Sequence, residues 1–235
     1  NLSFPPSKVT GGYQHTAAIR GDGTLWAWGY NGYGQLGDGT TANKNYPVKV
    51  GVATNWVQVS AGYYHTMAIK SDGTLWGWGY NGYGQIGDGT TINRSIPVQI
   101  GSATNWVKVE CGIYHTAALN SDGTLYVWGY NGYGQIGDGT VATRVTPTAV
   151  PSTTEWKNVA AGGYRTIGVK GDGTLWAWGY NGYGQLGDNT AADKTYPVPV
   201  SGIGANTVVD LAGGFNHSAV VLSNGTVWAW GYNGY

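Results

Sequence analysis

The string Gly32-Tyr33-Gly34-Gln35-Leu36-Gly37 fits G-x-G-x-x-G, the spacing with which a glycine-rich turn brings backbone amides to a pyrophosphate. That chemistry requires a strand before the glycines and a helix after them, whose N-terminus receives the phosphates. Here Asp38-Gly39-Thr40 follows, then a loop toward Pro47, with no helical periodicity. The glycines are therefore expected to turn the chain sharply and to let it approach a neighbouring element. A second candidate chemistry is metal binding, because histidines stand at His15, His65, His115 and His217. All four hold one repeat position, which Arg165 fills in the remaining copy. Equivalent residues on neighbouring units lie too far apart for one ion, so these histidines are expected to tie strands together by hydrogen bonds.

The acidic residues are equally orderly. Asp22, Asp72, Asp122 and Asp172 each precede a glycine, as hairpin turns require, and Asn224-Gly225 takes that place in the last copy. Asp38, Asp88, Asp138 and Asp188 each follow a glycine and are expected to cap a long loop through Asx-type bonds. A calcium loop would need several closely spaced oxygen ligands, which "GDGTT" does not supply. Cys111 is the single cysteine and stands where Ala61 and Ala161 stand in other copies. It excludes an intrachain disulfide and reads as a small buried residue. No nucleophile–base–acid set is present, and near-identical copies offer symmetry where catalysis needs one asymmetric constellation. The chain is expected to be non-enzymatic, with no catalytic residue, no metal and no cofactor.

What must position these residues is a repeat. "WGYNGYGQ" begins at Trp28, Trp78, Trp128 and Trp178, and a fifth copy begins at Trp230. Residues 21–40 and 71–90 differ only as Gly21/Ser71, Ala27/Gly77 and Leu36/Ile86. The repeats run 1–50, 51–100, 101–150, 151–200 and 201–235, the last incomplete, in one domain over 1–235. In the second copy the alternation of apolar and polar residues predicts strands at 56–60, 65–70, 74–78 and 97–100. The stretch "TLWAWG" at 24–29 is apolar on both faces, Leu25 and Ala27 on one, Trp26 and Trp28 on the other. Strands buried on both sides belong to sheets sandwiched between sheets. Four-stranded units of this length, stacked face to face, predict an all-β fold, a β-propeller of about five blades. Trp28, Trp78, Trp128, Trp178 and Trp230 are its expected structural core.

"WGYNGYGQLG" at 28–37, "AGYYHTMAI" at 61–69 and "SDGTLWGWG" at 71–79 resemble the signature strings of the regulator-of-chromosome-condensation repeat family. The resemblance recurs in every copy and implies propeller blades of about 50 residues, seven of them in the family's familiar members. Family roles range from nucleotide exchange on a small GTPase to β-lactamase inhibition by a secreted bacterial protein, so shared fold does not choose a function. The bacterial members set the expectation of an extracellular or cell-surface location.

Zero net charge and only 10% charged residues exclude an electrostatic surface for nucleic acid or an anionic membrane. No segment approaches the ~18 apolar residues of a membrane helix. Between near-constant flanks, residues 41–47, 91–97, 141–147 and 191–197 diverge, yet each keeps one cation: Lys44, Arg94, Arg144 and Lys194. These would ring one rim, serving solubility or meeting an acidic partner. Tyr30, Tyr33, Tyr80, Tyr83, Tyr130, Tyr133, Tyr180 and Tyr183 pose a similar choice between packing and recognition. The leading expectation is a binding scaffold that presents its rim loops to a protein partner. The alternatives are a lectin-like propeller with one glycan site per blade, and a structural protein that self-associates through its incomplete fifth repeat. Closure of a five-bladed ring by residues 2–4 as an outer strand is the favoured resolution of that last repeat.

Overall fold

The computed structural model describes residues 8–203 and 208–234. Each repeat folds as an antiparallel meander, with its strands in sequence order across the sheet. Blade 1 comprises β1 (Lys8–Gly11), β2 (His15–Ile19), β3 (Leu25–Gly29) and β4 (Lys44–Lys49). Blade 2 comprises β5 (Trp56–Ala61), β6 (His65–Lys70), β7 (Leu75–Gly79) and β8 (Arg94–Gln99). Blade 3 holds β9 (Trp106–Cys111), β10 (His115–Asn120), β11 (Leu125–Gly129) and β12 (Arg144–Ala149). Blade 4 holds β13 (Trp156–Ala161), β14 (Arg165–Lys170), β15 (Leu175–Gly179) and β16 (Lys194–Pro199). Among the described residues blade 5 holds β17 (Val208–Gly213), β18 (His217–Leu222) and β19 (Val227–Gly231). No helix occurs among the described residues.

The second and third strands of each blade meet in a hairpin that closes on Asp-Gly, as expected, although only the glycine has positive φ. The aspartate contributes differently. Asp72 Oδ1 accepts from both the Thr74 amide (3.0 Å) and the Thr74 hydroxyl (2.6 Å), and the Thr74 hydroxyl in turn accepts from Trp76 Nε1 (2.8 Å). In the last blade Asn224 does the same for Thr226, which is why Asp and Asn interchange there. The outer strand starts earlier than the sequence suggests, at Arg94 rather than Pro97. Gly79 pairs with Arg94 and Gly77 with Val98, so the register shifts between them and Pro97 falls in a bulge. Proline lacks the N–H that a regular ladder position would need, and a bulged edge strand does not ask for it.

The apolar core is divided among the seams between blades. From blade 1, Ile19, Leu25, Ala27, Leu36 and Val50 meet Trp56, Val59, Ala68 and Trp78 of blade 2. The same arrangement repeats at the second and third seams, where Trp128 and Trp178 take the place of Trp78. At the fourth seam Trp230 is only half-buried. Among the described residues, blades 2, 3 and 4 are covered on both faces and blades 1 and 5 on one, with Val9, Phe215, Val227 and Trp228 exposed. Among the described residues no hydrogen bond joins the first sheet to the fifth. The expected closing strand at residues 2–4 lies outside the described residues.

A candidate interaction surface built from the repeated tyrosine loop

The octapeptide is a clasp that one blade lays on the next. Asn31 is its hub: Oδ1 accepts from the Leu36 amide (2.9 Å), while Nδ2 donates to the carbonyls of Thr40 (3.0 Å) and Ala42 (3.1 Å). Gln35 Oε1 accepts from the Tyr33 amide (3.0 Å). The amides of Gly34 and Gly37 donate to the carbonyls of Asn31 and Gly34, so the amides that a phosphate would need are already used inside the loop. Gly37 has φ +71°, and a Cβ there would lie 2.8 Å from Trp78 Nε1 of the next blade. The glycine thus lets backbone rest directly on the indole. Trp78 Nε1 and the Thr66 hydroxyl both donate to the Gln35 carbonyl, at 2.9 Å each.

The histidines complete these clasps. His15 Nε2 lies 2.9 Å from Thr66 Oγ1, His65 Nε2 3.0 Å from Thr116 Oγ1, and His115 Nε2 3.2 Å from Thr166 Oγ1. Each threonine hydroxyl already donates its only proton to a glutamine carbonyl. The imidazoles must therefore be the Nε2–H tautomer, donating to the threonines. Burial pushes His15 and His115 down to about 4 and His65 to about 3, keeping all three neutral. His217 is exposed. In blade 4, Arg165 replaces the imidazole and donates from Nε to Ser218 Oγ (2.9 Å) and from its terminal nitrogens to the carbonyls of Phe215, Gly214 and His217. Burial lowers this guanidinium to about 10, and one longer side chain there replaces the His–Thr bond. No cluster of three potential metal-binding residues occurs among the described residues.

The rim cations are engaged at home. Lys44, Arg94, Arg144 and Lys194 pair with Asp38, Asp88, Asp138 and Asp188 of their own loops, at 3.3, 2.6, 2.6 and 3.3 Å. Those aspartates also accept from the threonine two residues on, as the Asx reading anticipates. Cys111 is half-buried, its thiol directed at the Ser60 carbonyl (3.3 Å) and pushed up by burial. With Gly12, Gly62, Gly112, Gly162 and Phe215 it lines an axial cavity of about 270 Å³.

The tyrosines of successive blades are brought together. Tyr33 of blade 1 packs on Tyr64 and Tyr80 of blade 2, with ring centroids 5.0 Å away in both cases. Tyr83 meets Tyr114 and Tyr130 at 5.1 Å, and Tyr133 meets Tyr164 at 5.2 Å and Tyr180 at 5.0 Å. Tyr183 meets Tyr232 at 4.8 Å. Because Tyr30–Tyr33, Tyr80–Tyr83, Tyr130–Tyr133 and Tyr180–Tyr183 also touch within each loop, an unbroken network of rings crosses every seam. Each Tyr30-type ring lies over the glycine two residues on: a Cβ on Gly32 would be 2.2 Å from the Tyr30 hydroxyl. Most rings are half-buried, whereas Tyr13, Tyr83, Tyr183 and Tyr232 are exposed. Desolvation raises the phenols of Tyr64, Tyr80, Tyr114, Tyr130, Tyr164 and Tyr180, so these six rings stay neutral further into alkaline solution than a free tyrosine.

The family model of the RCC1-like domain matches residues 7–235. This chain belongs to the RCC1-like domain family. Its fold superposes on human WBSCR16 with a TM-score of 0.82 at 25% identity, covering 92% of this chain and 57% of that one. On yeast RCC1 (Prp20), from a complex with Kap60, the TM-score is 0.84 at 22% identity, covering 96% and 56%. A 44-residue stretch is 43% identical to the ultraviolet-B receptor UVR8 of Arabidopsis thaliana, 19% of this chain and 10% of that protein. The chain thus spans little more than half the length of the solved RCC1-like structures it resembles.

Within this RCC1-like frame the loop tyrosines named from the sequence lie in one ring network with Tyr13, Tyr63, Tyr64, Tyr114 and Tyr164, which the sequence did not single out. The signal lay immediately before each histidine and before Arg165, where Tyr64, Tyr114 and Tyr164 of the three middle copies stand in place of Gln14 and Asn216 of the end copies. Nor did the sequence single out a polar group that breaks the repeat symmetry: Lys108 Nζ contacts Asn158 Oδ1 and, at 3.5 Å, Glu110. That group bonds blade 3 to blade 4 and contains no nucleophile aligned with a base.

Proposed function

We propose that this RCC1-like chain is a non-enzymatic scaffold that binds a protein partner through its tyrosine face. The supporting observation is the continuous array of half-buried and exposed rings across all four seams, held in place by the clasps beneath. Tyrosine offers large contact area at small entropic cost and concentrates binding energy when packed in place. The neighbouring cations are already paired with aspartates, which favours aromatic and hydrogen-bonding contact over charge. Among proteins of similar fold, Prp20p of Saccharomyces cerevisiae has been studied for its binding to Gsp1p and histones. That likeness concerns the fold and supports a protein partner of unspecified identity.

The test is affinity capture with cross-linking, comparing the chain with a Tyr83→Ala/Tyr133→Ala/Tyr183→Ala variant and a Lys44→Ala/Arg94→Ala variant, followed by affinity measurement on captured proteins. Loss of a single hot-spot ring should cost about 2 kcal/mol or more, roughly 30-fold in Kd. Partners retained by the tyrosine variant, or tyrosine-dependent binding seen only on a glycan array, would overturn the proposal.

A further inference from the structure

One ring contact on the tyrosine face differs from the rest. Tyr13 and Tyr63 are stacked, with centroids 4.1 Å apart and 13° between their planes, whereas the other tyrosine pairs among the described residues meet at 50° or more. Tyr13 follows β1 in blade 1 and Tyr63 follows β5 in blade 2, so the stack bridges two blades. A main-chain bond from the Tyr13 amide to the Gly62 carbonyl (3.3 Å) fixes the two segments in register. Tyr13 is 57% exposed, and small oxidants can reach its ring. Burial raises the Tyr63 phenol, with the neighbouring Tyr13 adding to the shift.

The stacked geometry has a chemical consequence. Two phenoxyl radicals couple through orbitals perpendicular to their rings, so a bond between ortho carbons forms between facing rings and not between rings at steep angles. We propose that Tyr13 and Tyr63 are a site of oxidative cross-linking, where a haem peroxidase with hydrogen peroxide converts the stack into an intrachain dityrosine joining blade 1 to blade 2. Each phenol gives one electron to the peroxidase and its hydroxyl proton to solvent. The two radicals pair to form one carbon–carbon bond between ortho carbons. Each of those carbons then releases its hydrogen as a proton and each oxygen regains one, which restores both aromatic rings. In sum, two phenols and one hydrogen peroxide give one dityrosine and two waters. Tyr64 touches both partners, at 6.0 Å from Tyr13 and 4.5 Å from Tyr63, and connects them to Tyr33 and the rest of the network. An oxidising equivalent accepted elsewhere on the face can therefore reach the pair, where coupling is irreversible.

The experiment treats the dilute full chain with haem peroxidase and hydrogen peroxide, isolates the monomer, and reads dityrosine fluorescence and cross-linked peptides by mass spectrometry. The expected result is a linked peptide pair containing Tyr13 and Tyr63, lost in Tyr13→Phe and in Tyr63→Phe. Phenylalanine keeps the ring stack, and near-ultraviolet circular dichroism verifies that both variants fold. Tyr46→Phe, outside the ring network, should leave the product unchanged. Absence of dityrosine, cross-links only between chains, cross-links only at other tyrosines, or a product that survives either phenylalanine substitution would each overturn the proposal.

Discussion

Trp78 is fully enclosed between blades 1 and 2, and its indole nitrogen donates to the Gln35 carbonyl. Its counterpart Trp230 makes the same bond at 3.0 Å but is only half-buried. Trp78→Ala is therefore expected to cost about 3–5 kcal/mol, and Trp230→Ala distinctly less, in chemical denaturation. Equal losses would contradict the seam as the unit of packing. The buried imidazoles set a pH dependence. Between pH 6.5 and about 4, the unfolded chain binds protons on His15, His65 and His115 that the folded chain refuses. Stability should thus be full above pH 6.5 and fall as the pH drops through that window. Glu110, raised chiefly by burial, acts in the opposite sense, one carboxyl against three imidazoles. The loop aspartates are held below their ordinary range and lose their contribution only at still lower pH. Thermal melts at successive pH values check this, and His65→Gln should flatten the slope.

At the scale of the element, one loop conformation recurs because the same glycines serve two different demands. Gly87 has φ +88°, and a Cβ there would fall 2.5 Å from Trp128 Nε1. Gly101 has φ +62° but meets nothing within 4 Å. Gly101→Ala should therefore carry only the left-handed backbone cost of about 1–2 kcal/mol. Gly87→Ala adds a displaced indole and a broken clasp, at least about 3 kcal/mol in all. Denaturation midpoints of the two variants separate backbone strain from interblade approach, and similar losses would show that the clasp contributes little. Raised phenols make the tyrosine loops sensitive to alkali instead of acid. Tyr80, Tyr114, Tyr130 and Tyr164 stay protonated in the fold, mainly through desolvation, after the unfolded chain has begun to ionise. Stability should decline as pH rises above about 10, with phenolate absorbance of the native chain lagging behind that of the denatured one.

For the whole molecule, stability resides in four seams and not in one centre. Such an array behaves as a chain of neighbour interactions, in which end units open at lower free energy than internal ones. β6, β10 and β14 are buried almost throughout, while β1 and β19 are largely exposed. Hydrogen exchange should accordingly be slowest in β6, β10 and β14 and fastest in blades 1 and 5. Uniform protection across the five blades would mean that the ends are covered in solution.

The repeat period, the Asp-Gly and Asn-Gly turns and the two-faced "TLWAWG" strand were enough to determine a propeller of four-stranded blades, because each rests on local periodicity and backbone geometry. The start of the outer strand at Arg94 was not legible, since Pro97 hides in a bulge that only pairing with Gly79 reveals. Sequence also showed that the tyrosines, histidines and rim cations repeat, without showing what each faces. Only the tertiary structure decided that Lys44 folds back on its own Asp38, and only the stacking of blades decided that His15 reaches a threonine of the next repeat and that tyrosines from three separate segments merge into one face. The His15–Thr66 and tyrosine contacts join residues about 30 to 50 positions apart. A repeat fixes the residues at such separations, but the angle between blades fixes which of them touch.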